Sequence, residues 1–223
     1  MRSVGASILF SEMTPPAELE SGFNAWYDNE HIPIRMKSAG FLGAQRYRDG
    51  DTCNYLAVYE LASADALSTP TYEKIKKEPS DTTRHILGAV SGFTRYLGRQ
   101  LTLRCRDGSN AGFVDAPVLF AVFFHVPDDR LAEFDAWYEG EHTSILMEDE
   151  RWRGVRRFEI FDGIPHAYNR LALHYLSDRS ALDSPTSQKA QATDRRARLA
   201  SQPWFKGTYL LFDRLGERFE GER

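Results

Sequence analysis

Phe23-Asn24-Ala25-Trp26-Tyr27-Asp28-Asn29-Glu30-His31 decides the fold, because the chain writes it twice. The second copy is Phe134-Asp135-Ala136-Trp137-Tyr138-Glu139-Gly140-Glu141-His142. Both run on into an isoleucine and a methionine, Ile34 and Met36 in one case, Ile145 and Met147 in the other. A pattern this long, and this rich in rare residues, does not recur by chance. Phe23 and Phe134 stand 111 residues apart, and the same spacing links Phe41 to Trp152, Gly43 to Gly154, and Arg46 to Arg157. Further on, a spacing of 115 aligns Leu56-Ala57-Val58 with Leu171-Ala172-Leu173, and Tyr59 with His174. It holds through Ala66–Thr71 against Ala181–Thr186, and on to Lys74 against Lys189. The second copy therefore carries four more residues, around Asp162–His166. A period of about 110 residues is far beyond solenoid repeats and reads as a duplicated domain.

Working outward, Gly5–Glu12 is a short apolar run read as a first strand. Pro15 and Pro16 open a helix that runs from Glu18 to about His31, where Pro33 is expected to stop it. Residues 40–48 and 54–61 are strands joined by the Asp49-Gly50-Asp51 turn. A helical region over 64–86, interrupted near Pro70, precedes a strand over 92–103. The second copy repeats the order, with strands over 118–125, 153–161, 168–176 and 206–213. The order β-α-β-β-α-β is the ferredoxin-like unit. The expected fold class is α+β: two ferredoxin-like βαββαβ units in one chain, whose sheets face each other to form an α/β barrel. The expected division is a first unit over 1–103, a polar linker over 104–116 containing Asp107-Gly108-Ser109-Asn110, a second unit over 117–215, and a loose tail over 216–223. A barrel or a domain interior is a common place for a ligand.

Composition narrows the function. The formal net charge of −4 offers no electrostatic footing for nucleic acid or an anionic membrane. No apolar run approaches the roughly 18 residues that span a bilayer. Cys53 and Cys105 are the only cysteines, so no metal-ligand spacing arises, and reduced thiols point to the cytoplasm. There is no glycine-rich phosphate loop and no G-x-S-x-G elbow. No metal site and no cofactor are expected.

The repeated stretch has helical spacing. Counting from Phe23, the residues Trp26, Tyr27, Glu30, His31 and Ile34 fall on one stripe, while Asn24, Asp28 and Asn29 fall opposite. Glu30-His31 and Glu141-His142 therefore occupy positions where burial is expected, and burying such groups costs free energy unless they are paired. Two readings stand. In one, each Glu pairs with a strand arginine, Arg46 or Arg157, and each His sits on its helix terminus. In the other, the pair marks a site, with Tyr27 and Tyr138 able to donate a proton. Trp26 and Trp137 read first as core.

Trp26-Tyr27-x-x-Glu30-His31-x-Pro33, on the first helix of a βαββαβ unit, resembles the dimeric α/β-barrel superfamily, in particular its EthD-like branch. The resemblance spans essentially the whole chain as two fused units. Its members include polyketide cyclases, muconolactone isomerases, cofactor-free quinol monooxygenases and haem enzymes. Where they are active, many place a His, a Tyr and a carboxylate in the pocket. Carried over, this implicates His31, Glu30 and Tyr27, with His142, Glu141 and Tyr138. Thr143-Ser144 replaces Ile32-Pro33 in the second copy, so the two sites need not be equivalent. The second half also holds His125, His166 and His174, against only His85 beyond the shared pair in the first. The expected function is proton transfer (isomerisation, cyclisation, decarboxylation or elimination) on a small cyclic or aromatic-derived metabolite, an isomerase or lyase type of enzyme. The catalytic candidates are His142, His31, Glu141, Glu30, Tyr138, Tyr27 and His174. The substrate-binding candidates are Tyr59, Arg46, Arg157, His125, Trp137 and Trp26. The alternative is a non-catalytic small-molecule-binding or accessory protein. The partner is a small molecule, and a homodimer of the tandem chain is the one protein partner this reading leaves room for. On the histidine count, the second half is expected to hold the working pocket.

Overall fold

The computed structural model describes residues 3–106 and 111–222, so Asp107-Gly108-Ser109-Asn110 of the expected linker lies outside the described residues. In the first half the elements are β1 (Ser7–Thr14), α1 (Glu20–Trp26), α2 (Ile32–Met36), β2 (Phe41–Asp49), β3 (Tyr55–Leu61), α3 (Pro70–Lys77), α4 (Asp81–Ala89) and β4 (Ser91–Cys105). The second half gives β5 (Val118–Phe124), α5 (Leu131–Trp137), α6 (Thr143–Leu146), β6 (Trp152–Ile164), β7 (Arg170–Leu176), α7 (Pro185–Gln191), α8 (Asp194–Ala200) and β8 (Thr208–Glu220). The fold is α+β. The strands follow one antiparallel hydrogen-bonded order, β1-β3-β2-β8-β5-β7-β6-β4, which closes as an eight-stranded barrel. None of the described helices is long and apolar enough to cross a membrane.

The chain divides into two compact units. Among the described residues, unit one is 3–99, 161–165 and 213–222, and unit two is 100–106, 111–160 and 166–212. β4 and β8 are therefore long strands that each serve both units. β8 continues to Glu220 where the sequence reads a loose tail from Gly216. The four residues gained around Asp162 lengthen β6, and Asp162 pairs there with Arg95 at 2.7 Å. Within unit one, β1 and β3 pair antiparallel with Leu9 opposite Tyr59. Within unit two, β5 and β7 pair antiparallel with Phe120 opposite His174.

The first helix of each half departs from the expected α-helix. Tyr27–His31 and Tyr138–His142 each form a wide π-turn. The amide of Ile32 bonds back to the carbonyl of Tyr27, and that of Thr143 to Tyr138, each five residues earlier. This inserts one residue and re-phases the stripe. Ile32 and Thr143 become fully buried, while Ile34, expected inside, is 42% exposed. Pro33 does not stop the helix: it falls in the first turn of α2, where a missing N–H costs least. Pro33 is not the cause of the turn, since the second half has Ser144 there and makes the same turn.

The breaks in the second helical region follow ordinary capping. Thr69 and Ser80 accept from the amides three residues on and start α3 and α4, as Ser184 and Thr193 do for α7 and α8. Packing separates the two units more sharply. In unit one the helices and sheet share one continuous core that includes Leu9, Met13, Trp26, Tyr27, Phe41, Tyr59 and Tyr72. In unit two the core is split. Val122, Phe124, Trp137 and Tyr138 belong to one cluster, and Leu146, Trp152 and Val155 to another.

Candidate functional site

Between the two clusters of unit two lies a cavity of about 370 Å³. Phe120, Val122 and Phe124 alternate along β5 and so share one face of the sheet. Trp152 comes from β6, His174 from β7 and Tyr209 from β8. The helical wall is Trp137, Tyr138, His142 and Leu146, closed by Leu182, Ser187, Gln191, Arg196 and Phe205. The cavity therefore lies between the helices and the sheet of this unit. Sequence spacing explains the space. Ser187 stands 115 residues after Tyr72, whose ring is buried in unit one against Phe41, with centroids 5.3 Å apart. A hydroxymethyl group replaces a phenol, and the ring's volume is left open.

Four of the expected site residues converge here: Trp137, Tyr138, His142 and His174. The Tyr138 hydroxyl and His174 Nε2 are 2.8 Å apart and fully enclosed. The His174 ring packs edge-on to Trp152 at 5.0 Å, and its Nδ1 has no partner. The His142 ring tilts against Trp137 at 4.9 Å. Its Nδ1 faces the Ala190 carbonyl at 3.4 Å, and that carbonyl can only accept. His142 thus carries its proton on Nδ1 and keeps a lone pair on Nε2.

Burial sets the protonation states. It depresses His142 to about 4; the Ala190 carbonyl and Glu141 oppose this, and Arg196 and Arg157 reinforce it. Burial, then His142 and Arg157, holds His174 far below an ordinary imidazole. Burial also drives the Tyr138 phenol well above its ordinary value, against the pull of Arg157. At neutral pH the cavity therefore presents two neutral imidazoles and a protonated phenol.

The glutamates are placed otherwise than the helical stripe implies. Glu30 and Glu141 are only half-buried, and neither hydrogen-bonds the imidazole beside it. Glu30 accepts from Ser80 and from Thr83 Oγ1, the latter at 3.0 Å. Glu141 accepts from Thr193 Oγ1 at 2.6 Å. Ser80 and Thr193 cap α4 and α8, so each carboxylate ties the first helix to the start of the later one. The arginines also go elsewhere. Arg46 bonds Asp28 at 2.7 Å and Asn24 at 2.5 Å, and lies over the Tyr27 ring. Arg157 and Arg170 share Asp135, and Arg157 lies over the Tyr138 ring.

In unit one Tyr27, His31, Trp26 and Tyr59 are packed into the continuous core. The Tyr27 hydroxyl reaches only the Met13 sulfur, at 3.8 Å. Burial, then Arg35 and Arg46, depresses His31, and burial lifts Tyr27 to about 12. His125 is exposed beside the Ala167 carbonyl and does not line the cavity. Ser187, Gln191, Arg196, Phe205 and Tyr209 line it without having been singled out in the sequence. The repeat alignment held the signal for Ser187. Among the described residues, no group of three His, Cys, Asp or Glu side chains stands together as a metal site would require.

The low imidazole values make stability pH-dependent. Unfolding returns each His to about 6.5. Below that pH the unfolded chain binds more protons than the folded one, so stability is complete above about pH 6.5 and falls with added acid. For His142 the loss continues down to about pH 4. His31 and His174 act in the same direction, each costing up to about 1.4 kcal/mol per pH unit. Urea midpoints at pH 7.5 and 5.5 measure this, and His142→Gln is expected to flatten the slope. Equal midpoints at the two pH values would contradict it.

No family model matches the sequence, and no curated protein does. Solved structures do. One described as an anthrone oxidase-like protein superposes with a TM-score of 0.74 at 10% identity, over 99% of this chain and 97% of its own. A putative monooxygenase from Fusobacterium nucleatum subsp. nucleatum gives 0.61 at 11% identity, over 99% and 96%. A mutant chlorite dismutase from Candidatus Nitrospira defluvii, in complex with cyanide, gives 0.54 at 8% identity, over 96% and 92%. What is shared is the fold. At these identities the likeness reaches the ferredoxin-like barrel and stops short of the side chains in the cavity.

Proposed function

We propose that the chain is a cofactor-independent enzyme that moves a proton on a small cyclic or aromatic-derived metabolite, and that its site is the cavity of unit two. In this reading the chain is a tandem duplication of the EthD-like kind, with a first copy over 1–103 and a second over 117–215. The second copy works and the first is a packed scaffold. The observation that carries the reading is the Tyr138–His174 contact of 2.8 Å inside a cavity that also presents His142. Unit one encloses the same kinds of group, Tyr27, His31 and Tyr59, but packs them into its core, whereas in unit two Tyr138, His174 and the half-buried His142 line a cavity where they can meet a ligand.

His142 Nε2 is the base. It takes a proton from a carbon next to a carbonyl or on a phenolic ring, and negative charge developing beside it raises its basicity from the depressed resting value. Tyr138 stays protonated at any physiological pH. With His174 Nε2–H donating to the phenol oxygen, the phenol proton is free to meet the substrate oxygen on which charge develops. Returning the proton elsewhere gives isomerisation, and losing a leaving group gives elimination or decarboxylation. The anthrone oxidase-like and monooxygenase neighbours make anthrone a sensible first compound to try.

The test is proton exchange. Anthrone, small lactones and phenolic keto acids are incubated with the protein in deuterium oxide, and loss of C–H signal is followed by NMR. The expected result is enzyme-dependent exchange on at least one compound, falling by about a hundredfold or more in His142→Gln with the urea midpoint at pH 7.5 unchanged. Compounds that raise the melting temperature yet exchange no faster than in buffer would instead make this a binding protein.

A further inference from the structure

The cavity wall differs from its unit-one counterpart in a way that names the ligand's charge. In unit one, Trp26 Nε1 donates to Thr83 Oγ1 at 2.9 Å. Thr83 is the third residue after the cap Ser80, and its amide bonds the Ser80 hydroxyl. In unit two the third residue after the cap Thr193 is Arg196, whose amide bonds the Thr193 hydroxyl in the same way. A threonine that satisfied an indole has become an arginine that lines the cavity. Two things follow. Trp137 Nε1, the counterpart of Trp26 Nε1, is buried with no partner, as is Trp152 Nε1. The Arg196 side chain donates only to the Gln191 carbonyl, at 3.2 Å, and pairs with no carboxylate among the described residues.

We infer that the cavity binds a planar aromatic mono-acid, whose carboxylate or phenolate is received by Arg196 while the ring system lies among the aromatic walls; this rests on the cavity of unit two being the site. One unpaired guanidinium matches one negative charge, and its planar fork suits a carboxylate. The two unpaired indole N–H groups are donors that water-excluded walls leave waiting for an acceptor. Phe120 and Tyr209 lie nearly parallel, with centroids 6.1 Å apart, which gives one wall a flat lining. A volume of about 370 Å³ is near the lower end of ligand pockets and suits a small aromatic rather than a long chain. The bound anion would also raise the basicity of His142, since Arg196 bears on both.

Binding of a matched pair tests this without any turnover. 2-Naphthoate and 2-naphthamide have the same ring and differ in charge, and calorimetry gives Kd for each. The expected result is at least tenfold tighter binding of the acid, a preference that falls below threefold in Arg196→Gln and partly returns in Arg196→Lys. Equal binding of acid and amide, a preference that survives Arg196→Gln, or no binding of either compound at millimolar concentration would overturn it. The outcomes separate the two proposals. A charge preference without proton exchange on any compound sinks the enzymatic reading alone. Exchange on a neutral compound without a charge preference sinks this inference alone.

Discussion

Asp135→Ala is expected to lower the free energy of unfolding by about 3–5 kcal/mol. Asp135 is held by two buried guanidinium groups. Arg170 donates through Nε to Oδ1 at 2.9 Å and through Nη2 to Oδ2 at 2.8 Å, and Arg157 donates to the same Oδ1 and to the Asp135 backbone carbonyl at 3.3 Å. Burial raises the acid's pKa, but hydrogen bonds and charge from Arg170 and Arg157 outweigh it and hold the value below the usual range. Removing the carboxylate leaves two buried guanidinium groups without their counter-charge, and neither can lose its proton. Asp28 is the control. It pairs with Arg46, but its side chain is 51% exposed and Asn24 supports the same guanidinium. Asp28→Ala is expected to cost less than about 1 kcal/mol. Urea unfolding of the two variants decides the matter, and similar losses in both would show that the Asp135 network is not the stronger one.

The second large effect concerns one pair of positions. Ser187→Tyr is expected to abolish ligand binding and proton exchange while leaving the chain as stable as before or more so. The change restores at 187 the ring that unit one carries at Tyr72, at a site where the main chain already turns the same way. Both residues sit third after a hydroxyl cap and give it their amide. The ring would take the space that a ligand needs. The reverse change, Tyr72→Ser, removes a buried ring from a continuous core and is expected to cost about 3–5 kcal/mol. Calorimetric binding and urea midpoints of both variants measure this. A Ser187→Tyr protein that still binds the same compounds would place the ligand outside the cavity. Loss of function with gain of stability is the trade expected of a site that keeps an interior empty.

Much of this was legible in the residues. The double Phe-x-Ala-Trp-Tyr-x-x-Glu-His pattern exposed the repeated element order, because large aromatics at helical spacing have few other uses. His174 stood out because its alignment partner is Tyr59, a change between two groups that both transfer protons. Other features were hidden for physical reasons. The wide turn is a property of backbone register, and no side chain in either copy demands it. Pro33 even pointed to a helix end. Glu30 and His31 are neighbours in sequence and looked like a pair, yet the hydroxyls that hold Glu30 come from about fifty residues away, beyond any local pattern. Ser187 was inside the aligned block, where its serine counted as a mismatch in a repeat. Only the volume left by the missing ring gives it meaning.

The long strands have a consequence for taking the protein apart. Residues 213–222 belong with unit one and residues 100–106 with unit two, so neither half of the sequence encodes all of a unit. A fragment ending at Arg106 would lack the stretch of β8 that borders β2 and would expose that sheet edge to solvent and to other chains. The two fragments, produced separately, should each be aggregation-prone and should recover solubility only on mixing. The chain would then behave as a two-piece reconstitution system, with β4 and β8 as the exchanged arms.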